Sequence, residues 1–89
     1  MNCSVSMVDP DTQSEDFWKN LVETHGGKFY EYVTKSVTHL VTTPKAKREN
    51  SGKIITATQR GISIVTESWL YSCLRSGVRV DESPFLIKN

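Results

Sequence analysis

At 89 residues the chain is the size of one small domain, with room for a single hydrophobic core and burial of about 60–65% of the surface its unfolded form exposes. Eleven Lys and Arg against ten Asp and Glu leave a formal charge of +1, which removes any global electrostatic case for a nucleic-acid or membrane-surface binder. Cys3 and Cys73 lack metal-ligand spacing and sit in apolar patterns, as reduced thiols in a reducing compartment do, and no apolar run approaches the ~18 residues of a membrane span. Met1-Asn2-Cys3-Ser4 opens nothing like a signal peptide. The expectation is one soluble intracellular domain over residues 1–89, excised from a longer protein.

Cys3 to Val8 alternates as a strand does, and Asp9-Pro10-Asp11 breaks it, because proline donates nothing to a ladder and aspartate favours turns. Thr12 with Glu15 fits a capping box. Trp18, Leu21, Val22 and His25 then recur at helical spacing, with Phe17 at the edge of the stripe. Gly26-Gly27 closes this helix, since glycine adopts the left-handed conformation cheaply. Phe29, Tyr30, Tyr32 and Val33 predict a second strand, Lys35-Ser36 a turn, and Val37 to Thr42 a third strand covered on both faces. Pro44 to Asn50 reads as a polar, basic loop. Ser51 is placed to cap a helix through Ile54, Ile55, Ala57 and Thr58 that stops at Gly61.

The next stretch organises the rest. Ile62, Ile64 and Val65 form a short buried strand that runs directly into a helix capped by Thr66, with Glu67 suited to its positive end. Trp69, Leu70, Cys73 and Leu74 share one face of this helix, and Ser76-Gly77 ends it. Val80, Phe85, Leu86 and Ile87 are expected to fold back on the body. Strands alternating with helices in the order βαββαβα predict an α/β fold, a parallel sheet with helices on both faces. The sequence contains neither an internal repeat nor a low-complexity tract.

These residues resemble a BRCT domain, the small interaction module of DNA-repair and checkpoint proteins. Gly26-Gly27 resembles the family's Gly-Gly turn, Thr38-His39-Leu40-Val41 its third-strand signature, and Ile64-Val65 through Trp69 to Cys73 its tryptophan helix. Glu82-Ser83-Pro84-Phe85-Leu86 is similar to its closing pattern. The resemblance spans essentially the whole chain. It implies a four-stranded parallel sheet in order 2-1-3-4 flanked by three helices, the first and third on one face and the second on the other.

In family members that bind phosphopeptides, a Ser or Thr ending the first strand, the next backbone N–H and a Lys opening the second helix hold the phosphate. Ser6, Met7 and Lys53 resemble those positions. Hydroxyl, amide and ammonium donors beside a helix dipole suit a doubly charged phosphate. The family usually has Gly where Met7 stands, so the Met7 side chain is expected on the phosphate's line of approach. A solvated Lys53 and a locally bonded Ser6 are the plainer alternative.

His39 has no carboxylate or nucleophile at useful spacing and reads as structural, as does Cys73 on an apolar helix face. Gly26-Gly27 ends a helix where a phosphate loop would begin one. Lys45, Lys47 and Arg48 form a short basic cluster, read as a solvated loop or else as a nucleic-acid backbone contact or a localisation signal. The expected function is therefore a non-catalytic, nuclear protein-interaction module of DNA repair, replication or checkpoint control. It needs no cofactor, metal, membrane or small-molecule substrate, and its partner is a protein, phosphorylated in the leading case. The alternatives are phosphate-independent pairing with another BRCT domain or a partner helix, since Phe17 and Trp18 cannot both point inward, and DNA binding through residues 45–48. In each case the parent could be a DNA ligase, a polymerase or a poly(ADP-ribose) polymerase.

Overall fold

Residues 4–8, 14–49 and 51–87 are described by a computed structural model of the chain. Cys3, the Asp9-Pro10-Asp11 break and Thr12 lie outside them. Four parallel strands, β1 (Ser4–Met7), β2 (Lys28–Phe29), β3 (His39–Val41) and β4 (Ser63–Val65), form one sheet in the order β2-β1-β3-β4. Both central strands are covered on both faces. The register places Val5 opposite Phe29 and His39, and Leu40 opposite Ser6 and Ile64.

Side-chain alternation along this sheet divides the core in two. Val5, Met7, Val41 and Val65 pack with Trp18 and Val22 of α1 (Glu15–Thr24) and with Trp69, Leu70, Cys73 and Leu74 of α4 (Glu67–Ser76). Val8, Leu40 and Ile64 face the other way, onto Ala46 of α2 (Pro44–Glu49) and Ile54 and Ala57 of α3 (Gly52–Gln59). Helices α1 and α4 thus share one layer, and α2 and α3 the other, as the resemblance implies for the first and third predicted helices against the second.

Trp69 is fully buried, its ring stacked on His39 with centroids 4.1 Å apart and its Nε1–H donating to the Val80 carbonyl at 2.8 Å. That bond brings the chain after α4 back onto the body. The returning chain makes a 3-10 turn at Ser83–Phe85, and an antiparallel bridge from Leu86 to Val65 covers the open side of β4. Ile87 N–H donates to the Ile64 carbonyl. An uncovered strand edge is a template for unwanted pairing, which this segment prevents along β4. Gly77 closes α4 at φ 76° and Gly26 follows α1 at φ 83°, both in the left-handed region that glycine enters cheaply.

Several expected details differ. The basic stretch after Thr43 is a helix: the Thr43 hydroxyl accepts the Ala46 N–H at 3.1 Å, Pro44 occupies the first turn, and Ala46 is buried. A capping threonine with Pro at the first helical position is a start signal that outweighs the polarity of Lys45, Lys47 and Arg48. Ser14 caps α1 by accepting from the Phe17 N–H, so the helix opens beyond the Thr12 position. Ser51 and Thr66 occupy cap positions, but their side chains make no capping bond. His25 is exposed, its Nδ1–H donating to the Leu21 carbonyl and closing the end of α1. The second strand is shorter than expected, and Tyr32 beyond it is 68% exposed.

Candidate functional site

In an open parallel sheet, ligands bind outside the carboxyl ends of the strands, where the strand order reverses. Here that point lies between β1 and β3: β1 connects through α1 to one edge, and β3 connects through α2 and α3 to the other. The crevice position that this topology defines is bordered by Met7 and Val8 on one side and by Val41, Thr42 and Thr43 on the other, all five of them buried.

Three bonds tie this end of the sheet together. Val8 N–H donates to the Val41 carbonyl at 3.0 Å, the Thr42 hydroxyl to the Val8 carbonyl at 2.8 Å, and Lys53 Nζ to the Met7 carbonyl at 2.9 Å. Lys53 lies in the first turn of α3 and reaches back to the strand with a partly buried side chain. An ammonium has three donors, and the Met7 carbonyl takes one.

Ser6 precedes Met7 and points into the opposite layer, towards α3. It is fully buried, and among the described residues its hydroxyl has no hydrogen-bond partner. A buried polar group left unbonded costs about 1–3 kcal/mol, so this hydroxyl does not contribute to stability. The Met7 side chain is also fully buried, but it packs among Val5, Trp18 and Trp69 on the far face. The expectation that it obstructs the approach of a phosphate is thus corrected: strand alternation sends residue 7 away from the side that residue 6 and Lys53 share. The period-two pattern carried this signal. Thr42 and Thr43, which anchor the crevice, have no distinguishing pattern in the sequence, because a threonine at a strand end is commonplace.

The remaining residues are structural by their contacts. The Thr38 hydroxyl donates to the Ser4 carbonyl at 2.9 Å and accepts the Ser4 N–H at 3.2 Å. Its one proton is thereby used, so the 2.9 Å contact from His39 Nδ1 is a donation by the ring. That leaves His39 Nε2 buried, 3.7 Å from Glu82 Oε1. Burial holds the His39 pKa below its ordinary value, the Arg79 cation adds to this, and Glu82 opposes both. The ring is a neutral packing element. Cys73 Sγ accepts the Val80 N–H at 3.3 Å, and burial pushes its thiol pKa up, the reverse of what a nucleophile needs. Gly26 and Gly27 complete the end of α1 by donating to the Glu23 and Val22 carbonyls. Lys45, Lys47 and Arg48 lie on α2, a helix that begins at the crevice.

On the opposite layer, Phe17 is 45% exposed and meets the buried Trp18 edge-on at 5.7 Å. Trp18 Nε1–H donates to Glu67 at 3.2 Å, tying α1 to α4, and between the two helices lies a groove of about 440 Å³ lined by Phe17, Leu21 and Tyr71.

The family profile described as the BRCA1 C Terminus (BRCT) domain matches residues 2–74. The chain belongs to the BRCT family. Among curated proteins, this BRCT chain is similar to the protein ADP-ribosyltransferase PARP3 of Arabidopsis thaliana, 37% identical over 68 residues that are 74% of this chain and 8% of that protein. It is 29% identical over 79 residues to BRCT-containing protein 1 of Schizosaccharomyces pombe, covering 89% of this chain and 9% of that one. The BRCT chain thus spans under a tenth of the length of these relatives. Among solved structures, Rad4 BRCT1,2 in complex with a Crb2 phosphopeptide aligns with a TM-score of 0.80 at 25% identity, over 94% of this chain and 44% of that one. The first BRCT domain of the DNA-repair protein XRCC1 aligns at 0.74 and 20% identity, over 98% and 64%, a likeness of fold.

Proposed function

We propose that this chain is a non-catalytic interaction module that docks a phosphorylated protein partner, with the Ser6 hydroxyl, the Met7 amide and the Lys53 ammonium as phosphate donors. The observation that carries the reading is the Lys53 ammonium held at the carboxyl end of β1, one residue from a buried hydroxyl that has no hydrogen-bond partner among the described residues. A phosphate dianion is a stronger acceptor than the neutral Met7 carbonyl, so the lysine gains by exchanging one for the other, and its long stem allows the movement. The similar Rad4 pair, solved with a Crb2 phosphopeptide, supports the partner class. Relatives of DNA-repair type support a nuclear setting, and the ADP-ribosyltransferase likeness supports an accessory role within a larger enzyme whose chemistry lies elsewhere. Fluorescence anisotropy of a labelled phosphopeptide library against wild type and Lys53→Met tests the site. Selective loss of the phosphorylated peptides in the variant is expected, and equal binding by both proteins overturns the reading.

A second reading, phosphate-independent pairing with another BRCT domain or a partner helix, is favoured by the half-exposed Phe17 beside the α1–α4 groove. Large exposed aromatics at a groove act as interface anchors. Sedimentation velocity over a concentration series tests self-pairing, which is excluded by a monomer at every concentration.

A further inference from the structure

We propose that the partner carries acidic side chains two to four residues from its phosphorylated residue, and that Lys45 and Arg48 on α2 receive them; this rests on the phosphate reading of the Ser6–Lys53 site.

The chain's near-zero net charge conceals a separation. Residues 44–60 contain Lys45, Lys47, Arg48, Lys53 and Arg60 but only Glu49 among acids, five of the eleven cations and one of the ten anions. The rest of the chain is correspondingly net acidic. Within α2, Lys45 and Arg48 are three residues apart and so share a face, and both are exposed, whereas Ala46 is buried against Leu40 and Ile54. Among the described residues neither Lys45 nor Arg48 has an ion-pair partner. Two uncompensated cations on one helical face attract anions.

Their position is set by the bonds at the crevice. Thr42 bonds Val8, the residue after Met7, and Thr43 caps α2, so the helix starts where β1 ends. Six helical residues rise about 9 Å. An extended peptide advances about 3.3 Å per residue, which brings a side chain two to four residues from the phosphate alongside α2. At that range the attraction is still within about one Debye length at physiological salt. A long polyanion such as duplex DNA fits less well, because the residues outside 44–60 carry nine acids against six cations.

The test uses the intact chain and three fluorescein-labelled phosphoserine peptides that differ only at two to four residues on either side of the phosphate, which carry Ala, Asp or Lys. With wild type at physiological ionic strength, the Asp-flanked peptide is expected to bind about fivefold more tightly than the Ala-flanked one, as two exposed ion pairs allow. The order reverses in the Lys45→Glu/Arg48→Glu variant, whose fold is verified by its circular dichroism melt. Equal affinity of the Asp and Ala peptides for wild type, with both lost in Lys53→Met, overturns the acidic-flank inference and leaves the phosphate reading standing. Binding that ignores Lys53→Met removes both. If a short DNA duplex binds wild type and loses affinity in the double variant while the peptide order stays unchanged, the patch belongs to nucleic acid and the inference falls.

Discussion

Replacing Ser6 with alanine removes a hydroxyl that is fully buried and has no hydrogen-bond partner among the described residues. An unsatisfied buried hydroxyl costs about 1–3 kcal/mol, and the void left by one oxygen takes back only a few tenths at about 24 cal/mol per Å³. The expected net effect is a gain of about 1 kcal/mol. At about 2.1 cal/mol/K of unfolding entropy per residue, an 89-residue chain then melts about 5 °C higher. Calorimetry and urea titration of wild type and Ser6→Ala measure this directly, and the m-value should be unchanged because the exposed surface is the same. The same variant should lose affinity for phosphopeptide, so stability and binding move in opposite directions. A loss of about 1 kcal/mol or more at constant m would refute the reasoning, because it would mean that the hydroxyl is bonded in the native state.

Three further outcomes come from contacts in the opposite layer and at the end of α4. His39 has its pKa held below 6.5, so as the pH falls below about 6.5 the unfolded chain takes up a proton that the native chain refuses. The His39 contribution to stability should be flat above that point and fall below it by up to about 1.4 kcal/mol per pH unit, a slope that His39→Gln should flatten and that an unaltered profile in the variant would contradict. Trp69→Phe removes the 2.8 Å bond to the Val80 carbonyl together with part of the stack on His39. It should cost about 2–3 kcal/mol in urea and speed hydrogen exchange at the Ile87 amide, whereas a loss under about half a kcal/mol would deny the ring its anchoring role. Gly77 lies at φ 76° with nothing within 4 Å of an added Cβ. Gly77→Ala should therefore lose about 1 kcal/mol from backbone conformation alone and Gly77→Asn clearly less, and equal losses would point to another cause.

The α/β class and the two-layer core were legible in the sequence because they rest on patterns that repeat, whereas the strand order came only from the resemblance to the BRCT family. Trp69, Leu70, Cys73 and Leu74 mark one face of a helix, and Leu40, Ile64 and Val65 are apolar at spacings that only covered strands tolerate. What the sequence obscured depends on single bonds. The Thr43 hydroxyl turns a polar run into α2, a start signal carried by Thr43 and Pro44 alone and not by any repeating pattern in the run. His25 looked apolar by position, but its ring is drawn out to the Leu21 carbonyl.

The candidate site shows the same division more sharply. Counting back from Ile64-Val65 and Trp69 pointed to Lys53 as the position resembling the family lysine, but spacing has no direction, so it could not say that the Met7 side chain leaves through the other face. A glycine at this position would free the approach by having no side chain, at the cost of backbone entropy in the middle of a strand. Methionine instead points into the α1–α4 layer, where its fully buried side chain packs with Val5, Trp18 and Trp69. The side of β1 that Ser6 faces is therefore held in place by the filled core on its other face, which offers only hydrocarbon.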